Sequence, residues 1–362
     1  MLILRKDFEN SKAKSFCQEF IHSDRPKYIF GRNEWAESTV EHIEIHGFID
    51  DFTEEKEYLY KPIIPIDNIP PDALVVVAVI GKPSTAEKRV RQYQFQSLDY
   101  YSFFKYSGLP LKNIMFWDGM IEDLRSNFPK YTKIYALFQD NISKNQFYNI
   151  LNFRNSYDLD YMRGFSEKED QQYFEDFLNL KEEGEIFVDI GGYEGYTTEE
   201  FIRRCPKYKE AFFFEPESNN MLIAKKRLER YRDIHYFPLG LSDRKEILRF
   251  TISGSSSKIS DEGELTIQVD RLDDLIDQKI TFLKMDIEGA ERSAIEGAKN
   301  LIRKYHPKLA VSVYHRKDDF WKIPEQILNI RSDYKIYLRH YTEGMSETIM
   351  FFVPTDARRK LG

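Results

Sequence analysis

Short runs of consecutive apolar residues, several closed by an acidic residue or a glycine, alternate along this chain with stretches whose apolar positions recur at three- and four-residue spacing. The first pattern is that of buried strands and the second that of helices, so the alternation predicts a parallel α/β sheet. In the first half, after a polar helical opening, residues 27–30, 47–51, 74–80 and 113–116 read as strands, and a helix follows 31–36 as far as about residue 46. From about residue 118 to 183 the pattern turns helical, a bridge with polar breaks near 127 and 152. Its last piece, 169–177, reads as an amphipathic helix with Phe174, Phe177 and Leu178 on the core side. Gln172 and Tyr173 on that piece could reach over the glycine turn that follows. The second half repeats the strand signal at 186–189, 212–214, 234–237, 281–285 and 309–314, and 334–338 with 348–353 form a terminal hairpin-like pair. Strand pieces at 248–250 and 265–269 flank a serine loop at 254–257, either a surface excursion or a lid. The expected organisation is a smaller Rossmann-like α/β domain over 1–125, a helical bridge over 126–183 and a larger α/β domain over 184–362.

The length of 362 residues suits two domains of common size. The longest apolar run, at 74–80, is far short of the roughly 20 residues a membrane helix needs, so no bilayer span is expected. The N-terminus turns charged before a signal-like apolar region forms, and the expectation is a cytoplasmic protein. A net charge of −7 with both signs interspersed leaves no basic footprint for nucleic acid. Cys17 and Cys205 lack metal-type spacing and read as reduced, semi-buried thiols.

Two glycine turns could hold a nucleoside. A dinucleotide fingerprint in the first half would need glycines at 31, 33 and 36, but Asn33 and Ala36 stand at two of these places, which argues against a tightly held NAD. Asp50 and Asp51 lie where a ribose-binding acid could sit, or are a solvated strand end. This half therefore reads as a binding, docking or assembly domain, through which the chain could self-associate. The second turn is intact. In FVDIGGYEGYT (187–197) an apolar strand ends in Asp189, glycines at 191, 192 and 195 permit positive φ and close ligand approach, and Thr197 and Thr198 suit an N-cap. The helix start favours a carboxylate such as that of a methionyl group. In FFFEPE (212–217) the next strand ends in Glu215, placed to accept from two ribose hydroxyls or to cap the following helix. Ser242 and Asp243 could meet an adenine edge or be solvated. Because ligands of open α/β sheets bind outside the carboxyl ends of strands, Asp189, Glu215 and Asp286 should converge.

With LKMDIEGAER (283–292), Glu296-Gly-Ala298 and SVYH (312–315) in the same order, residues 165–353 resemble the FkbM-type S-adenosylmethionine-dependent O-methyltransferases of the class I superfamily. The resemblance implies a seven-stranded sheet with an antiparallel last strand, S-adenosylmethionine as donor, and hydroxyl acceptors on sugars, glycans or related natural products. It places Asp189, Gly191 and Gly195 around the methionyl portion, Glu215 at the ribose, Ser242 and Asp243 at the adenine side, and Asp286 near the transferring methyl.

A sugar hydroxyl is a weak nucleophile, and His315, at the cofactor edge of its strand, is the first candidate for its general base. A histidine simply tied to a carboxylate is the bland alternative. Asp286, Glu288 and His315 could instead hold a divalent metal, though a metal-free site is the expectation. His340 and Tyr341 could line the acceptor pocket or serve packing. The rivals are a non-catalytic nucleotide-binding or scaffold protein with this fold, and an oxidoreductase using the first half.

Overall fold

The computed structural model describes residues 1–6, 9–253, 256–259 and 265–355. The chain divides into two compact units. One comprises Met1–Phe128, Asn145–Glu169 and His340–Ser346, the other Pro129–Lys144, Asp170–Arg339 and Glu347–Gly362. The helical stretch Met120–Leu137 and Asn141–Ser156 is shared out between both.

The first unit is built on six strands, β1 (Lys27–Phe30), β2 (Gly47–Ile49), β3 (Glu57–Tyr58), β4 (Lys61–Ile64), β5 (Leu74–Val77) and β6 (Gln96–Asp99), in the order β3-β4-β2-β1-β5-β6. All neighbours are parallel except β3 and β4, as the alternation of strands and helices predicts. Residues 113–116 form no strand. Ile114 and Trp117 are apolar because they fill an aromatic core with Trp35, Tyr101 and Phe153, and Phe116 bends the chain at φ +65°. The edge strand Gln96–Asp99 escaped the apolar-run signal because two of its four residues, Gln96 and Ser97, are uncharged polar groups and Asp99 is acidic.

The first unit's sheet reverses direction of growth between β1 and β5, where nucleotides bind in such folds. That crevice is closed by protein. A Cβ on Gly31 would lie 2.4 Å from the Ala78 carbonyl oxygen, and Asn33 Nδ2 donates to the same oxygen at 2.6 Å. Asp50 is paired with Arg32, Asp51 with Arg89, and the Glu343 carboxylate accepts from Thr85 N and Oγ1 at the start of helix Pro83–Gln92. The solvated strand end expected at 50–51 is thus a pair of ion pairs.

The second unit carries β7 (Ile186–Ile190), β8 (Glu210–Phe214), β9 (Ile234–Phe237), a small sheet of β10 (Gly240–Leu241), β11 (Glu246–Ser253), β12 (Ser256–Ile259) and β13 (Leu265–Asp270), then β14 (Phe282–Met285), β15 (Lys308–Ser312), β16 (Tyr334–His340) and β17 (Thr348–Pro354). The main sheet has the expected seven strands, in the order β16-β17-β15-β14-β7-β8-β9, with β17 antiparallel to β15. Every residue of β7 and β14 is buried, which explains their continuous apolar runs and makes the lone charges inside them, Asp189 and Lys284, conspicuous. The two are register partners. Of the serine loop, Gly254 and Ser255 lie outside the described residues, and Ser256–Ile259 pairs with β11.

The amphipathic helix expected at 169–177 is instead two single 3₁₀ turns, Glu169–Gln171 and Asp176–Leu178, interrupted by Tyr173 at φ +71°. The apolar stripe survives the change. Phe177 stacks on Tyr337 at 4.1 Å, and Leu178 is fully buried.

Candidate active site

The sheet of the second unit changes direction between β7 and β14, so the turns after Ile190 and Met285 face each other across the crevice. A Cβ on Gly191, at φ +75°, would lie 1.9 Å from the Asp286 carbonyl oxygen, and one on Gly192 would lie 2.1 Å from the Phe213 ring. These two glycines therefore let the chain approach itself. Ligand approach is not what excludes a side chain there.

Asp189 is fully buried beneath this turn. Thr198 Oγ1 donates to it at 2.7 Å, and Lys284 Nζ lies 3.1 Å from its other oxygen. Lys284 also donates to the Gly191 carbonyl at 2.6 Å, and its ammonium sits 5.1 Å from the centre of the Tyr173 ring. A buried ion pair is tolerated only where hydrogen bonds complete its shell. Asp189 and Lys284 are thus a strut under the glycine turn. Thr198 is consumed by the strut, so the expected threonine cap is absent. The helix runs over Tyr196–Arg204 with Gly195 as N-cap at φ +85° and no side-chain cap, Thr197 being half-buried in its first turn.

Glu215 is buried at the end of β8, where its oxygens accept from the backbone amides of Tyr193 at 2.9 Å and Glu217 at 2.8 Å. Burial raises its pKa against those two amides. The helix-cap alternative falls to Glu217, which accepts from Asn219 N and Asn220 N. Each Glu215 oxygen keeps a further lone pair, which suits the two donors of a vicinal diol. Together with the uncapped amides of the Tyr196–Arg204 helix start, this donor and acceptor set fits the ribose and carboxylate of S-adenosylmethionine. Ser242 and Asp243 hydrogen-bond each other, and Ser242 N donates to Asp270 O. Among the described residues neither is hydrogen-bonded to Glu215.

Beyond β14 and β15 the ionisable groups crowd together. His315 Nδ1 lies 2.9 Å from Glu291 Oε1, while its Nε2 lies 3.5 Å from Asp286 and 3.6 Å from Glu288. Glu291, fully buried, also accepts from Ile287 N at 3.0 Å, and His315 holds its pKa down against burial. Burial alone would lower the His315 pKa, but Glu291, Asp286 and Glu288 push it up to about 10. Those three carboxylates favour the imidazolium, a form that would have no lone pair for an acceptor's proton. The set close enough to share a metal ion is Asp286, Glu291 and His315, with Glu291 in place of the expected Glu288.

A second arm reaches Asp286 from the other side. Tyr173 OH donates to Asp286 Oδ2 at 2.6 Å, Gln172 Nε2 donates to Tyr173 OH at 2.9 Å and to Glu347, and Tyr314 OH donates to Glu347 at 3.0 Å. Burial and Asp286 push Glu347 up to about 7. Tyr173 thus meets Asp286 and covers Lys284, which bonds Gly191 of the glycine turn, and Gln172 joins it to Glu347. Glu291, Glu347 and Lys284 were not anticipated. Lys284 alone carried a signal, a charge inside an apolar strand, which must have a partner. His340 and Tyr341 are buried in the first unit, where burial lowers His340 to about 3 and its ring packs on Phe165. Both cysteines are buried thiols pushed up to about 12.

No helix among the described residues is long and apolar enough to cross a membrane. Residues 189–342 match the family described as the methyltransferase FkbM domain. No curated protein sequence matches the chain significantly. Among solved structures, the chain is similar to methyltransferase FkbM from Methylobacillus flagellatus KT, at 24% identity and a TM-score of 0.77, covering 95% of this chain and 93% of that one. An rRNA methylase from Streptococcus thermophilus aligns at 14% identity and a TM-score of 0.35, over 50% of this chain and 93% of that one. Fibrillarin from Aeropyrum pernix, solved with S-adenosyl-L-methionine, aligns at 12% identity and a TM-score of 0.32, over 48% and 69%. Residues 189–342 thus carry the match to an FkbM-type methyltransferase domain, and the activity that domain implies is S-adenosylmethionine-dependent methyl transfer.

Proposed function

We propose that this FkbM-type methyltransferase methylates a hydroxyl group of a sugar, a glycan or a related natural product. The observation that carries the reading is the arrangement along one sheet edge. A buried diol acceptor, Glu215, stands at one end of the glycine turn and a carboxylate–imidazolium cluster at the other. S-Adenosylmethionine, when bound, supplies an electrophilic methyl group on a sulfonium. Glu215 would hold its ribose, and the amides at the start of the Tyr196–Arg204 helix its carboxylate. Lys284 and Asp189 keep the turn between them rigid. Asp286, oriented by Tyr173 and by the His315 imidazolium, lies where the acceptor and the methyl group meet. Holding donor and acceptor in line can supply roughly 7–11 kcal/mol of the barrier, so positioning is the larger share of the work. A base adds roughly 10²–10⁴-fold. We read the first unit as a docking or assembly element, since its own crevice is filled by Asn33 and Glu343.

Calorimetry with S-adenosylmethionine, S-adenosylhomocysteine and NAD tests the reading. Binding of both sulfur nucleosides and no binding of NAD is expected. Absence of binding by either would leave a scaffold protein as the better account. Methyl transfer from labelled donor to a panel of methyl hexosides then tests the acceptor class.

A further inference from the structure

Around the glycine turn after β7, nearly every residue faces protein. A Cβ on Gly191 would meet the Asp286 carbonyl, one on Gly192 the Phe213 ring, and one on Gly195 would lie 3.2 Å from both Ala224 Cβ and Leu228 Cδ1. The Glu194 carbonyl accepts from Arg227 Nε at 2.9 Å. Tyr193 is the exception, 63% exposed. The four residues Gly192 to Gly195 form a turn closed by Gly195 N donating to Gly192 O at 2.9 Å, and Tyr193 holds its first central position at φ +50°. Positive φ at that position is ordinarily taken by glycine, asparagine or aspartate, and for a bulky ring it is a strained conformation. Glycine would relieve that strain, and it fills three positions of this turn but not this one. The chain thus keeps a large ring in water, on strained backbone, beside the candidate site. Strain of this kind persists chiefly where function needs the side chain in one place. Tyr196, 46% exposed, starts a helix in ordinary backbone and carries no such signal.

The partner of the Tyr193 amide says what the ring can reach. That amide donates to Glu215 Oε2 at 2.9 Å, and the Cβ from which the ring hangs is two bonds from the same nitrogen. A diol held on the remaining lone pairs of Glu215 is therefore a neighbour of the ring.

We propose that the Tyr193 ring packs on the ribose of bound S-adenosylmethionine and covers the hydrogen bonds between that ribose and Glu215. The inference rests on the methyltransferase reading of the same site. An apolar ring face over a buried carboxylate excludes water from the charge-assisted bonds beneath it, and such bonds are stronger at low local dielectric. Covering the ligand also takes the ring itself out of water, which the free chain does not do. The ribose is common to S-adenosylmethionine and S-adenosylhomocysteine, so the ring holds both.

Calorimetry on the whole chain with S-adenosylhomocysteine and with 5′-methylthioadenosine, which share the ribose and the thioether sulfur, tests the proposal. Tyr193→Gly should weaken both at least tenfold, or about 1.4 kcal/mol, while Tyr193→Phe stays within about threefold of the parent. Without ligand, Tyr193→Gly should melt no lower than the parent, because the strain is gone. Tyr193→Asn, also at ease in left-handed backbone, should follow Tyr193→Gly, so misfolding of one variant leaves the other to decide. In the parent, nitration by tetranitromethane, mapped by mass spectrometry, should reach Tyr193 in the free chain and be blocked by saturating S-adenosylhomocysteine. Tyr60, 94% exposed in the first unit, is the control that stays reactive. A smaller loss in Tyr193→Gly, a larger loss in Tyr193→Phe, a lower melting point, or nitration of Tyr193 unaffected by ligand overturns the proposal. A loss confined to S-adenosylhomocysteine overturns it too, since the ring would then lie on the amino-acid tail. A parent chain that binds neither compound would instead refute the methyltransferase reading.

Discussion

Replacing Lys284 by methionine should loosen the glycine turn far more than a surface charge change would. The methionine stem fills most of the volume of the lysine stem, so little of the loss comes from a cavity. What remains is Asp189, fully buried, with Thr198 as its one hydrogen-bond donor, and a Gly191 carbonyl that has lost a 2.6 Å hydrogen bond. Removing one partner of a buried ion pair costs about 3–5 kcal/mol. At 1.4 kcal/mol per decade this corresponds to roughly two to three and a half decades in local opening. Hydrogen exchange of peptides covering β7 and β14, read by mass spectrometry, measures that opening without requiring the two units to unfold together. Lys284→Met should speed exchange by at least a hundredfold and weaken S-adenosylhomocysteine binding in step. Adding Asp189→Asn, which removes the stranded charge and keeps an acceptor for Thr198, should recover much of the loss. Exchange less than tenfold faster in the single variant would refute the strut.

Three further outcomes are expected. Glu215→Ala removes an acceptor of two charge-assisted hydrogen bonds, each worth roughly 1.5–3 kcal/mol, and should weaken S-adenosylhomocysteine at least tenfold by calorimetry, whereas Asp243→Ala should do much less. Each carboxyl raised by burial holds its proton more tightly in the folded chain and contributes stability that falls as pH rises, whereas His340, lowered to about 3, acts in the opposite sense between about pH 3 and 6.5. Glu288, Glu347 and Asp319, each raised to about 7, act from about pH 4.5 or below up to 7. His315, raised to about 10, contributes stability that is full below about pH 6.5 and is lost as pH climbs to 10, so His315→Gln should flatten that upper window in thermal denaturation. Chelation should leave the transfer rate unchanged, since the imidazolium already supplies the positive charge between Asp286 and Glu288. A rate that drops with chelator and returns with magnesium would assign Asp286, Glu291 and His315 to an ion.

The residues that sequence alone identified share one property. Asp189, Glu215, Asp286 and His315 each stand at or just beyond the end of an apolar run, and a strand buried on both faces can carry its chemistry only at its ends. The seven-stranded sheet followed from the same runs together with the resemblance, and the loss of a nucleotide crevice in the first unit was visible in Asn33 and Ala36. What tertiary structure decided was which side chains each of these groups is paired with. Asp189 reads in the sequence as a cofactor contact, and the fold pairs it with Lys284, its register partner on β14. His315 reads in the sequence as a base, and the fold sets Glu291, Asp286 and Glu288 around it, which favour its charged form. Neither pairing has a local signature, because hydrogen bonds across strands and turns depend on register and on backbone bends such as Tyr173 and Glu288. Residues 113–116 show the same limit from the other side, since an apolar run reports burial, and only the fold says whether it is buried in a sheet or beneath a loop.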